Sequence, residues 1–279
     1  MNDSQHGQDS FLASGRGTEN YVAKLPLITA LFWVMKILAT TLGETGGDVI
    51  GQTLNLGYLT GVVIFVGFLI IVLGLQLRVR TFHPVLFWAV ILATSLVGTE
   101  ISDYINDTLG LGYGAGALIL TGALAVVLAV WRLAGDTMQV ERIHSRKDEL
   151  LYWIATLISN TLGTSTGDYL AHDNSGLGAG YITSTIIISA ALVMLLASHY
   201  LTPISATLIF WAAYVLTRPF GANAGNALSK TREQGGLGIG TYGASAVLLG
   251  LLVICLIYQV FTHRQQTQVL PRSDSQPAR

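Results

Sequence analysis

Long apolar runs alternate with short polar gaps between residues 25 and 261. Eight runs stand out, near 25–46, 57–77, 84–102, 114–134, 149–168, 178–199, 204–224 and 238–261. Each approaches the roughly 20 residues that a helix needs to cross the hydrocarbon of a bilayer. The second, fourth, sixth and eighth runs are almost purely apolar, whereas the other four turn polar toward their C-terminal ends. Continuous stretches such as Val62-Val63-Ile64-Phe65-Val66 lack the alternation of a barrel strand. The pattern therefore predicts an all-α polytopic membrane protein with eight transmembrane helices. The polar flanks, 1–23 and 263–279, read as flexible tails. The first of them lacks the basic start and apolar core of a signal peptide.

The same pattern repeats four times. Trp33, Trp88, Trp153 and Trp211 are each followed ten residues later by Gly43, Gly98, Gly163 and Gly221. Five residues further lie Asp48, Asp103, Asp168 and Asn226. A second glycine-rich patch follows, as in Gly110-Leu111-Gly112 and Gly236-Leu237-Gly238, and reads as a tight entry to the next run. Each unit holds two spans, so all four units share one orientation, as parallel helix hairpins about an axis along the membrane normal. The membrane domain covers 24–262, with repeats at about 24–78, 79–134, 147–200 and 203–262.

Composition agrees with this and removes other classes. The chain is 51% hydrophobic and 11% charged, with a mean hydropathy of +0.56. A soluble domain carries roughly 25% charge, and disorder needs low hydrophobicity. A formal net charge of −1 offers no field for nucleic acid. A single cysteine, Cys255, excludes an internal disulfide and any multi-cysteine metal site. No organic cofactor is implied. Basic residues mark the cytoplasmic side. Arg78, Arg80, Arg132, Arg142, Arg146 and Lys147 in two gaps, with Arg16, Lys24, Arg264, Arg272 and Arg279 in or beside the tails, make 11 of the 15. Both termini are thus expected in the cytoplasm.

The segments Phe32-Trp33 and Ala39-Thr40-Thr41-Leu42-Gly43-Glu44-Thr45-Gly46-Gly47-Asp48 resemble an uncharacterised family of bacterial integral membrane proteins. Its members are built from four tandem two-span repeats, each with a characteristic tryptophan. The resemblance runs from residue 24 to about 262. It implies architecture and a bacterial inner-membrane location, with membrane lipid as surroundings, and no established activity.

A helix that runs unbroken through each motif aligns residues 3, 7, 11 and 15 after the tryptophan on one face. The first unit gives Lys36, Thr40, Glu44 and Asp48; the second Ile91, Ser95, Thr99 and Asp103; the third Thr156, Asn160, Thr164 and Asp168. For the fourth, the reading is Tyr214, Thr217, Ala222 and Asn226, beside Arg218-Pro219. A neighbouring stripe is small: Gly43 and Gly47, Gly98 and Ser102, Gly163 and Gly167, Gly221 and Gly225. Such pairs let helices approach closely, so the first helices of the units are expected around a common axis lined by polar residues. The four tryptophans read as packing anchors. At 1.5 Å per residue, Lys36 lies roughly 16 Å into the first span and Asp48 roughly 34 Å. A midplane charge costs about 2.5–3.5 kcal/mol, so Lys36 needs an interior partner, and Glu44 is the candidate.

Two readings of the motif follow. The glycines end helices and the aspartates cap what comes after, or the carboxylates form a ring at a pore mouth or ion site. The second gives the leading expectation, a transporter or channel for a small cation. A divalent metal ion or a proton-coupled substrate would be its cargo. Asp48, Asp103, Asp168, Asn226, Glu44 and Glu100 would bind ions or line the path, and Lys36 would couple or gate. The alternative is a non-transporting membrane scaffold. An intramembrane enzyme is the weakest reading, because no Ser/His pair or His-rich metal motif lies on the spans. His172 and Asp173 read as solvated surface.

Overall fold

A computed structural model describes residues 26–135, 138, 143, 145–173 and 176–269, with backbone alone for 266–269. The tail 1–23, the end of the C-terminal tail, Arg142 and Lys24 lie outside the described residues. The described chain has eight long α-helices and no strand. We label them α1 (Ala30–Asp48), α2 (Tyr58–Arg78), α3 (Pro84–Asp103), α4 (Tyr113–Ala134), α5 (Arg146–Ala171), α6 (Tyr181–Leu201), α7 (Ala206–Ser229) and α8 (Thr241–Val269). Five of them are long and apolar enough to cross a membrane: α2, α4, α6, α8, and α3 with its extension to Thr108. This suits a multi-pass membrane protein.

Local signals set the helix ends. Thr29 caps α1 through a bond from the Phe32 N–H at 3.3 Å. Pro84 opens α3, where its missing N–H has no intrahelical partner to lose. Ser145 caps α5, accepting from the Asp148 N–H at 3.0 Å. The four outer helices all start after a glycine with positive φ: Gly57, Gly112, Gly180 and Gly240 at 74–81°. A side chain at that φ would be strained, which explains the glycine patches before them. The C-terminal end is a correction. α8 runs on to Val269, through residues 263–269 that the sequence assigns to a tail. Gln265, Gln266 and Gln268 are good helix formers and carry the last turns on.

The helices form two rings. The inner ring is α1, α3, α5 and α7, each packed on the next and α7 closing on α1. The outer helices are offset by one unit. α2 packs chiefly on α3, α4 on α5, α6 on α7, and α8 returns to α1. The second helix of a unit thus covers the first helix of its neighbour. Burial follows the rings. The inner helices carry most of the buried residues, whereas α2, α4, α6 and α8 expose aliphatic faces such as Ile70 (66%), Leu118 (75%) and Ile254 (64%).

Small residues allow the inner ring to close. A methyl group at Gly43 would collide with Ser95, at Gly98 with Asn160, at Gly163 with Arg218 and at Gly221 with Thr40. Each glycine meets residue 7 of the next unit, and the fourth returns to the first. One turn later, Gly47 faces Thr99, Gly167 faces Ala222 and Gly225 faces Glu44. Ser102 stands where the others have glycine, and its hydroxyl bonds Ser165 at 2.8 Å. At the N-terminal ends, Phe32, Phe87, Tyr152 and Phe210, each directly before its tryptophan, close the middle with rings (Phe32–Phe87 and Phe32–Phe210 centroids both 6.4 Å apart).

Candidate functional site

The motif glycines do not end helices. α1 continues through Gly43 and Gly47 to Asp48, then widens into a π-helical turn at Val49–Thr53. α3 does the same at Tyr104–Thr108. α5 and α7 stay α-helical through Asp168 and Asn226. The stripe therefore forms four tiers around the ring.

The second tier contains the feature that the sequence reading misses. Seven residues after Trp211 lies Arg218; the expected Thr217 is one place off and bonds its own helix at the Tyr214 carbonyl. Arg218 is fully buried and fills the middle of the ring. Its Nη1 donates to the Thr40 carbonyl at 2.8 Å, its Nη2 to that of Ser95 at 3.0 Å and its Nε to that of Asn160 at 3.1 Å. These are the three equivalent residues of the other units. Nη2 also donates to the Thr99 and Thr164 hydroxyls of the third tier. A fixed fork of five N–H groups suits such a fan of acceptors.

Glu44 occupies the third tier and is the counter-charge of Arg218, 3.7 Å from Nη2. It accepts from Thr99 Oγ1 at 3.1 Å, Thr164 Oγ1 at 3.3 Å and Asn226 Nδ2 at 3.0 Å. The Lys36–Glu44 pair is therefore overturned. Lys36 is fully buried in the first tier, with no hydrogen bond to Nζ among the described residues. Its Nζ lies 4.2 Å from the Tyr214 ring centre. Arg218, one turn nearer, takes the carboxylate instead.

The fourth tier opens into a cavity of about 200 Å³. Asp103, Asp168 and Asn226 line it over Glu44, with Tyr58, Tyr113, Tyr181 and His172 in the wall. Asp48 stands behind Lys230, whose Nζ contacts Asp48 Oδ2 at 2.9 Å and Gln52 Oε1 at 2.6 Å. Burial works against that ammonium, but the charges of Asp48, Glu44 and Asp103 outweigh it and raise its pKa above the ordinary lysine value. Asp107 takes the Tyr113 hydroxyl at 2.7 Å and that of Tyr58 at 3.4 Å. His172 is no mere solvated surface. Its ring stacks on Tyr113 at 4.8 Å, and its Nδ1 lies 3.9 Å from Asp168 Oδ1.

Glu100 is the second correction. It lies one place off the stripe, about 100° further round the helix. Its carboxylate packs against Gly51 and Gly61, on the α2 side, and does not line the cavity. The aspartates are also more buried than an interfacial site suggests, at 1% for Asp48, 5% for Asp103 and 4% for Asp168. No group of three His, Cys, Asp or Glu residues among the described ones is placed to hold a metal ion. Trp88 donates to Gln259 at 2.7 Å and Trp211 to the Met138 carbonyl at 3.2 Å, so both tie the ring to its surroundings. Trp153 is buried without a partner for its Nε1, and Trp33 packs on Phe32 and Phe210. Trp131, outside the fourfold set, donates to Asp148 at 2.8 Å.

The units also match a known repeat. A family model described as a repeat of unknown function, DUF347, matches residues 31–82, 86–137, 151–205 and 209–265. The chain belongs to the DUF347 repeat family. Each DUF347 unit here contributes one inner and one outer helix. No curated protein and no solved structure matches the chain.

Proposed function

We propose that this DUF347 protein is an integral membrane transporter for a small cation, with the acidic cavity as its binding site. The observation that carries the reading is the meeting of Asp103, Asp168 and Asn226 over Glu44 in one cavity at the C-terminal ends of the inner helices. Carboxylates there face the negative ends of helix dipoles, a conflict that a bound cation relieves. A continuous channel fits less well. Below the cavity Arg218 puts a positive charge in the middle of the ring, and the aromatic tier closes the other end. A carrier that rearranges this barrier fits better than an open pore.

The topology belongs to the same proposal. All eight helices cross the membrane, in four parallel units, with outer helices toward lipid and both termini in the cytoplasm. In a bacterial cell this is the inner membrane, and the basic gaps support that orientation. The cavity then faces outward. Lys36, enclosed by the first tier, is the coupling candidate. A scaffold remains the second reading. The Arg218 network favours it, since it ties all four inner helices into one rigid ring.

Reconstitution into liposomes with a screen of small cations tests the choice. The transporter reading expects a flux that Asp103→Asn together with Asp168→Asn reduces at least tenfold. Unchanged flux in that double variant overturns it.

A further inference from the structure

We propose that the cavity takes a small organic cation with N–H donors, a primary alkylammonium or a guanidinium, rather than a metal ion. The inference rests on reading the cavity as a cation site and adds the chemical class of its occupant. Four observations converge on it.

Size comes first. A volume of about 200 Å³ far exceeds a bare ion yet lies below the roughly 300–1,000 Å³ of drug-sized pockets. Second, among the described residues no three His, Cys, Asp or Glu side chains are placed to share a metal. Third, three tyrosines stand in an otherwise polar wall. Tyr58, Tyr113 and Tyr181 are the first residues of α2, α4 and α6, so the repeat sets three tyrosines around the cavity. Aromatic faces attract organic cations, while metal ions prefer oxygen shells. Fourth, two buried acceptors are unfilled. Asn226 donates its Nδ2 to Glu44, and its Oδ1 accepts no hydrogen bond. No described side chain donates a hydrogen bond to the Asp103 carboxylate, which is 5% exposed. Directional acceptors beside a carboxylate call for a cation that carries N–H groups.

The protein itself shows how an alkylammonium is held here. Lys230 places Nζ between the Asp48 carboxylate and the Gln52 amide oxygen, at 2.9 and 2.6 Å. This is a carboxylate plus an amide oxygen around one ammonium. Asp103 or Asp168 with Asn226 Oδ1 offers the same pair of groups to an ammonium that comes from solution.

The experiment is calorimetric titration of the full chain in lipid nanodiscs. The probes are methylammonium, guanidinium, tetramethylammonium, Na⁺, Mg²⁺ and Mn²⁺. Methylammonium or guanidinium binds more tightly than any metal ion, and at least fivefold more tightly than tetramethylammonium, which has no N–H. Asp103→Asn and Asp168→Asn each weaken binding at least tenfold, and Asp48→Asn weakens it less. Should those variants fail to fold, Tyr181→Leu at the partly buried rim weakens binding about threefold. Tighter metal binding, absent binding of both N–H probes, or affinity unmoved in folded variants overturns the proposal. Binding as described without flux in liposomes overturns the transporter reading alone. Flux of a metal ion without organic-cation binding does the reverse.

Discussion

Arg218 is where a single side chain decides most. Its guanidinium reaches the carbonyls of Thr40, Ser95 and Asn160, one from each of the other units. Removing it strands Glu44, a 2% exposed carboxylate, without its counter-charge. Breaking a buried pair from one side costs about 3–5 kcal/mol. Arg218→Leu is therefore expected to lose that much stability in thermal or denaturant unfolding in detergent. Arg218→Lys recovers little, since one ammonium cannot span three carbonyls and two hydroxyls. Arg218→Leu with Glu44→Leu loses less than Arg218→Leu alone, because no lone charge remains. If the double variant is the less stable one, the two charges do not act as a pair. The residue itself was within reach of the sequence, seven places from Trp211 in a span with no other charge. Its partner was not. Lys36 and Glu44 share a stripe, but only the packing of four helices shows that α7 brings a cation closer.

For the helices, the legible features were those tied to the backbone. The runs foretell eight helices with ends within about five residues, the C-terminal end of α8 excepted, since caps and glycine entries are local. The small-residue stripe marks the faces that touch, because a helix can approach a neighbour only where side chains are absent. The offset of outer helices onto the next unit was not legible, since hydropathy gives the exposed face of a helix and not its neighbour. Glu100 escaped for a related reason. One residue of register turns a side chain from the cavity to α2. The glycine contacts yield a test with an internal control. Gly43→Ala, Gly98→Ala and Gly163→Ala each place a methyl inside a neighbour and are expected to cost about 1–3 kcal/mol. Gly67→Ala and Gly122→Ala in the outer helices meet nothing within 4 Å and leave the melting temperature unchanged or slightly raised. Equal effects in both sets would show that the inner contacts are looser than described.

At the scale of the molecule, the proposed topology predicts which loops each side of the membrane sees. In a Cys255→Ser background, Thr108→Cys and Arg232→Cys label with an impermeant thiol reagent from outside. Arg80→Cys labels only after the membrane is opened. Labelling of Arg80→Cys from outside would invert the orientation, and with it the side on which the cavity opens. The fourfold plan was visible in sequence, and so was the departure of the fourth unit at Asn226 and Arg218-Pro219; the partners of its charges were not. Three units offer an acid to the fourth tier, while the last offers Asn226 there and supplies Arg218 to Glu44 and Lys230 to Asp48, so both of these cations serve carboxylates of the first unit.

The closing contact of the outer ring, α8 on α1, gives synthesis of this chain a particular order of events. The first inner helix to leave the ribosome is the last to receive its cover. Until the last two helices arrive, α1 has neither α7 beside it nor α8 behind it, and Glu44 waits for a guanidinium 174 residues downstream. No partial chain is a smaller version of the whole. Three units make an open arc with an uncovered carboxylate at one end.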